Sequence, residues 1–206
     1  MGVDMAEQRL LEDGQRIVFL GDSITQDGNG YVSVVESIIG ALAPDMKLTY
    51  INAGVGGHKV TDMLERIGES VIAHDPDWVT ISVGINDVWH GHNGVPIEEF
   101  RKKYNELVRR LSKQTVAKLV LFTTTVIGEE LDSEANHRLV EYNEHIRKVA
   151  KRRKLLLVEM NGAFHGAISD WHKIGTDLRF TTDGVHTNPI GAYLMAHTLA
   201  KAWGVV

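Results

Sequence analysis

The sequence predicts an α/β fold, a three-layer α/β/α sandwich built on a five-stranded parallel sheet. Three observations carry that reading. Five short apolar runs, Ile17–Leu20, Leu48–Ile51, Trp78–Val83, Leu119–Thr124 and Leu155–Val158, are nearly continuous rather than alternating. That is the pattern of strands covered on both faces. Stretches of helical period lie between the runs, so the connections cross over and neighbouring strands run parallel. Polar turn residues and glycines follow the runs, where an open α/β sheet places its ligands.

The first run belongs to "RIVFLGDSIT" and breaks at once into Gly21, Asp22 and Ser23. The second leads into "NAGVGG", Asn52 to Gly57, and the third into "GINDVW", Gly84 to Trp89. Phe100, Tyr104, Leu107, Val108 and Leu111 then recur at helical spacing, as do Leu139, Tyr142, Ile146, Val149 and Ala150 after the fourth run. Asp132 or Ser133 is placed to cap that second helix. Its end carries the one basic run, Arg147 to Lys154, where cations complement the helix dipole. Beyond the fifth run, "DGVHTN", Asp183 to Asn188, precedes a final helix opened by Asn188-Pro189 and running Ile190 to Trp203.

The bulk numbers exclude several classes. With 206 residues, 43% of them apolar, the chain fits a single domain, 1–206, with residues 1–15 as a peripheral N-terminal extension. A net charge of −5 supplies no basic field for a phosphate backbone, so no nucleic-acid partner is expected. There is no cysteine, hence no disulfide, thiolate metal site or thiol nucleophile. The charged start "MGVDMAEQRLLEDGQR" has no apolar secretory core, and no run approaches the ~18 apolar residues of a membrane span. A cytoplasmic protein without a membrane partner is the expectation.

Each strand-end motif has a plain meaning on its own. Gly, Asp and Ser are turn and cap residues, an Asn in a turn bonds its own backbone, and a lone His sits in turns or at helix starts. The glycine turn fails as a dinucleotide fingerprint because Lys59 stands where the third glycine belongs. It does offer close backbone approach and free N–H groups. Asp183 and His186, three apart across Gly184, can fold so that the carboxylate meets Nδ1–H and leaves Nε2 to accept a proton. A serine hydroxyl needs such a base at neutral pH. Ser23, the glycine turn, Asn86 and the Asp183/His186 pair all fall at strand ends on one sheet edge, and together they read as a hydrolase site.

This ordered set resembles the SGNH hydrolases, also called GDSL esterases and lipases. "GDSIT" supplies Ser23, "NAGVGG" supplies Gly57, "GIND" supplies Asn86, and "DGVH" supplies Asp183 and His186. The wording between the blocks resembles bacterial carbohydrate acetylesterases, acetylxylan esterases among them. The resemblance implies a flavodoxin-like sandwich, Ser23, His186 and Asp183 as catalytic residues, and Ser23, Gly57 and Asn86 as oxyanion donors. No cofactor and no metal are implied. The substrate class is a small-molecule or oligosaccharide ester carrying a short acyl group. Similar esterases are often homo-oligomers, although no heptad or apolar stripe in the sequence requires it.

Other functions fit parts of the same pattern. A lysophospholipase or thioesterase would share the blocks and prefer longer chains. A metal-dependent phosphoesterase would draw on Asp22, Asp87, His90, His92, Asp183 and His186. A non-catalytic flavodoxin-like binding module would share only the architecture. Trp89 and Trp171 are candidates either for stacking on a sugar or for the core. His58, with six other histidines, has no partner readable from sequence.

Overall fold

The computed structural model describes residues 9–206. Its five parallel strands are β1 (Arg16–Gly21), β2 (Thr49–Gly54), β3 (Trp78–Ile81), β4 (Lys118–Phe122) and β5 (Leu156–Val158), in the order β2-β1-β3-β4-β5. Helices α2 (Tyr31–Leu42), α7 (Met160–Ile174) and α8 (Pro189–Ala202) pack together in one layer. Helices α3 (Val60–Ser70), α5 (Ile97–Gln114) and α6 (Glu134–Arg153) form the other. Two short helices, α1 (Ser23–Gln26) and α4 (Ile85–Trp89), follow β1 and β3. The three-layer sandwich and five-stranded parallel sheet are as the apolar runs predict.

The central strands β1, β3 and β4 are almost wholly buried, which their continuous apolar runs require. The outer strands differ from the expectation of cover on both faces. β2 is exposed or half-buried at every position but Ala53, and only Val158 is buried in β5. Each is a sheet edge, with a neighbour on one side only. Strand ends also shift from the runs. β2 continues to Gly54, paired with Gly21, whereas β4 stops at Phe122 because Thr124 N–H turns to the side chain of Asn143, 2.8 Å away.

Helix signals in the sequence match their caps. Ser133 Oγ accepts from Asn136 N–H at the start of α6, and Asn188 accepts from the N–H groups of Ile190 and Gly191 at the start of α8. The basic run closes α6, with Lys154 in the left-handed conformation just after it. Trp203, fully buried, packs edge-on to Phe19 and Trp78 at 6.4 and 6.0 Å between ring centroids. Within the N-terminal extension, residues 1–8 lie outside the described residues; Leu11 is buried rather than peripheral, and Leu10 N–H bonds the Trp203 carbonyl at 3.0 Å. Among the described residues no helix is long and apolar enough to cross a membrane.

Candidate active site

The sheet register aligns the carboxyl ends of the strands: Gly21 faces Gly54, Leu20 faces Ile81, and Ile81 faces Leu121. Strand order reverses between β1 and β3, and open α/β sheets receive ligands at such a point. Ser23 follows β1 and Asn86 follows β3, so both stand at that crevice.

Asp22 shapes the first turn. Its carboxylate caps α1 by accepting from Ile24 N–H at 3.0 Å, as its turn chemistry suggests. Ser23 is then the first residue of α1, where a backbone N–H has no helical partner. Its hydroxyl points to the far end of the chain: Ser23 Oγ lies 2.8 Å from His186 Nε2. His186 Nδ1 in turn lies 2.7 Å from Asp183 Oδ2. The other carboxylate oxygen of Asp183 accepts from Val185 and His186 N–H at 3.0 and 2.8 Å, so one side chain both folds the loop and orients the ring. The bond from His186, reinforced by those two N–H groups, holds the Asp183 carboxyl down at about 2. Asp183 is therefore ionised at neutral pH, and its carboxylate accepts from His186 Nδ1–H; in a neutral imidazole so bonded, Nε2 is an acceptor, and it faces Ser23.

The other two blocks arrive from β2 and β3. Gly57 has φ +75°, and Gly84, which caps α4, has φ +127°, conformations that favour glycine. A Cβ on Gly84 would also lie 2.9 Å from Thr124 Cγ2. That turn brings the buried Asn86 against the glycine loop, where its amide donates to the His58 carbonyl at 3.1 Å. An amide carries two hydrogens, so one remains for a ligand. The loop is secured to α1 by Gln26, whose side-chain oxygen accepts from Gly56 N–H at 2.8 Å. All five sequence-predicted residues, Ser23, Gly57, Asn86, Asp183 and His186, thus lie on segments that meet at one sheet edge.

Sequence reasoning missed some of the supporting polar network. His58 does have a partner: Arg66 Nε donates to its Nδ1 at 3.0 Å, while another Arg66 nitrogen donates to the Gly21 carbonyl at 2.9 Å. Arg66 thereby ties the serine turn to the glycine loop. Burial, followed by the neighbouring guanidinium, pulls the His58 pKa down. Asp87 is buried beneath the site and accepts from Val60 N–H at 3.1 Å. Burial pushes its carboxyl up to about 7, with the charges of Asp22 and Asp62 adding to the effect. Asp22 is pushed up to about 6 for the same first reason. Neither a lone arginine on a helix nor an aspartate beside an apolar stretch carries a sequence signal for these pairings.

Of the two tryptophans, Trp171 packs on Phe180 at 4.2 Å between centroids, a core contact, while Trp89 is half exposed. The candidate metal ligands do not converge: among the described residues no three His, Cys, Asp or Glu side chains are grouped to hold an ion.

Residues 19–194 match the GDSL-like Lipase/Acylhydrolase family. An acetylxylan esterase of Geobacillus stearothermophilus is 26% identical over 212 residues, 93% of this chain and 94% of that protein. Among solved structures, an alpha/beta hydrolase from the metagenome of Lake Arreo, Spain, superposes with a TM-score of 0.87 at 28% identity, covering 96% of this chain and 98% of that one. The acetyl xylan esterase AlAXEase gives 0.82 at 30% identity, covering 91% and 98%. A family match across most of the sequence, on a fold shared over more than nine-tenths of the chain, leads to one conclusion: this chain belongs to the GDSL-like lipase/acylhydrolase family and is an esterase by that membership.

Proposed function

We propose that the chain is a serine esterase that removes short acyl groups, acetyl above all, from saccharide hydroxyls through an acyl-enzyme. The observation that carries this reading is the unbroken line Ser23 Oγ, His186 Nε2, His186 Nδ1, Asp183 Oδ2, with contacts of 2.8 and 2.7 Å at its two joints.

Ser23 Oγ attacks the ester carbonyl as His186 Nε2 takes its proton, and Asp183 stabilises the imidazolium. The tetrahedral oxyanion accepts from the Ser23 and Gly57 N–H groups and from the free hydrogen of the Asn86 amide. His186 returns the proton to the leaving alcohol, which departs. Water then attacks the acyl-Ser23 carbonyl, losing its proton to His186, and the collapse of the second intermediate releases the carboxylic acid and restores Ser23.

Two observations support the substrate class. The His186 and Asp183 side chains are 47% and 55% exposed, an open setting that suits a small acyl group on a bulky alcohol. Similar proteins include acetylxylan esterases at 26% and 30% identity. The test is an ester panel, acetylated xylo-oligosaccharides beside p-nitrophenyl acetate, butyrate and octanoate, run on the wild type and Ser23→Ala. Turnover falling from acetate to octanoate and absent in Ser23→Ala is expected. A rate rising with chain length would replace this reading with a lysophospholipase or thioesterase, and an active Ser23→Ala would overturn it.

A further inference from the structure

The loop bearing Asp183 and His186 is gripped by a residue that takes no part in the acyl transfer, and we propose that Glu129 is a positioning residue for that pair. The inference rests on the serine-esterase reading. One carboxylate oxygen of Glu129 accepts three hydrogen bonds: from Phe180 N–H at 2.9 Å, from Thr181 N–H at 2.9 Å and from the Thr181 hydroxyl at 2.6 Å. These donors form the root of the loop. Thr181 bridges to Thr187 across it, and Thr182 N–H bonds the His186 carbonyl at 2.8 Å, so the root and the histidine backbone move together. The residue before Glu129 holds the tip, with Gly128 N–H donating to the Gly184 carbonyl at 2.6 Å.

The grip has an anchor in turn. Asn136, buried in α6, accepts from Ile127 N–H at 2.9 Å and donates to the Gly128 and Glu130 carbonyls at 3.2 and 2.9 Å. A rigid helix thus holds residues 127–130, and these hold the loop at both ends. The need for it follows from exposure: Asp183 and His186 are half exposed, so packing alone holds their side chains less firmly than it would in the core. Hydrogen bonds to the loop must do so, and those to a carboxylate are the stronger kind. Misplacing a catalytic group by about 1 Å can cost ~10²-fold in rate.

The experiment compares Glu129→Ala, Glu129→Gln and Thr181→Val on p-nitrophenyl acetate, each also in an Asp183→Asn background, with Ser23→Ala as control. Glu129→Ala is expected to lower kcat by ~10–100-fold with KM within about twofold. Glu129→Gln keeps the accepting oxygen and should stay within ~3-fold of wild type. In the Asp183→Asn background the alanine change should cost less than ~2-fold, because the pair it positions is already uncoupled. Thr181→Val removes a single donor and decides the matter if Glu129→Ala folds poorly; a kcat loss of ~3-fold or more that disappears beside Asp183→Asn is expected. Wild-type kcat in Glu129→Ala and Thr181→Val, an equal loss in Gln and Ala, or a loss repeated in full beside Asp183→Asn would overturn the role. An active Ser23→Ala would instead overturn the esterase reading itself.

Discussion

Replacing Asn86 by alanine separates what this side chain does for the fold from what it does for the reaction. In the folded protein one amide hydrogen is spent on the His58 carbonyl at 3.1 Å, and the proposed mechanism gives the other to the oxyanion. Loss of the first costs stability. His58 is only half-buried, so water can take over its carbonyl, and about 1 kcal/mol is expected, or ~2–4 °C in Tm for a domain of this size. Loss of the second acts on the transition state alone, and removing one such donor costs about 2.7–4 kcal/mol, or ~10²–10³ in kcat. The kinetic effect therefore exceeds the thermal one. Steady-state hydrolysis of p-nitrophenyl acetate at ~25 °C, with Tm measured on the same samples, should show kcat lowered by that factor and KM nearly unchanged. Asn86→Asp supplies a size-matched companion. It has no amide donor and presents a negative charge to the oxyanion, so kcat should fall at least as far. A kcat within ~3-fold of wild type in the alanine variant, or a loss expressed mainly in KM, would refute the oxyanion role.

Other outcomes follow from the same geometry. Asp183→Asn keeps the shape of the side chain but favours the wrong imidazole tautomer, so kcat should drop by up to ~10⁴-fold while the site still binds substrate, as read from steady-state kinetics. Asp87→Asn should change the pH dependence of stability rather than its value in acid. The folded protein holds the Asp87 carboxyl at about 7 against an ordinary value of 3.8, so it binds more protons than the unfolded chain across that window. Stability from this group is thus present at low pH and lost as pH rises toward 7. The asparagine variant, which keeps an oxygen for Val60 N–H, should gain Tm over wild type progressively between about pH 4 and pH 8. A constant offset in differential scanning calorimetry would contradict this.

Much of the site was legible because its residues sit where the chain changes character. Ser23, Gly57 and Asn86 each follow an apolar run, and Asp183 and His186 are joined by a local spacing that one loop can satisfy. Helix starts at Ser133 and Asn188 were readable for a similar reason, since capping is a short-range interaction. What escaped was long-range. Glu129 meets Thr181 across 52 positions and Arg66 meets Gly21 across 45, and no periodicity links such pairs. Edge exposure of β2 and β5 escaped too, because strand order is a property of the assembled sheet and not of either run. The short α4 begins after Gly84, which adopts φ +127° with Thr124 and Phe100 packed close to it, neighbours that only the assembled fold supplies.

Ser23 and His186 are separated by 163 positions, and all five strands are complete by Val158, before the proposed base has been encoded. A chain ending after the fifth strand would therefore carry every strand of the sheet and lack the proposed base. In the proposed mechanism the base arrives with the last segment, whose following helix, α8, packs beside α2. On that mechanism turnover depends on the loop before α8 as well as on the sheet, and α8 itself supplies buried Met195, Ala196, Leu199 and Ala200 to the interior.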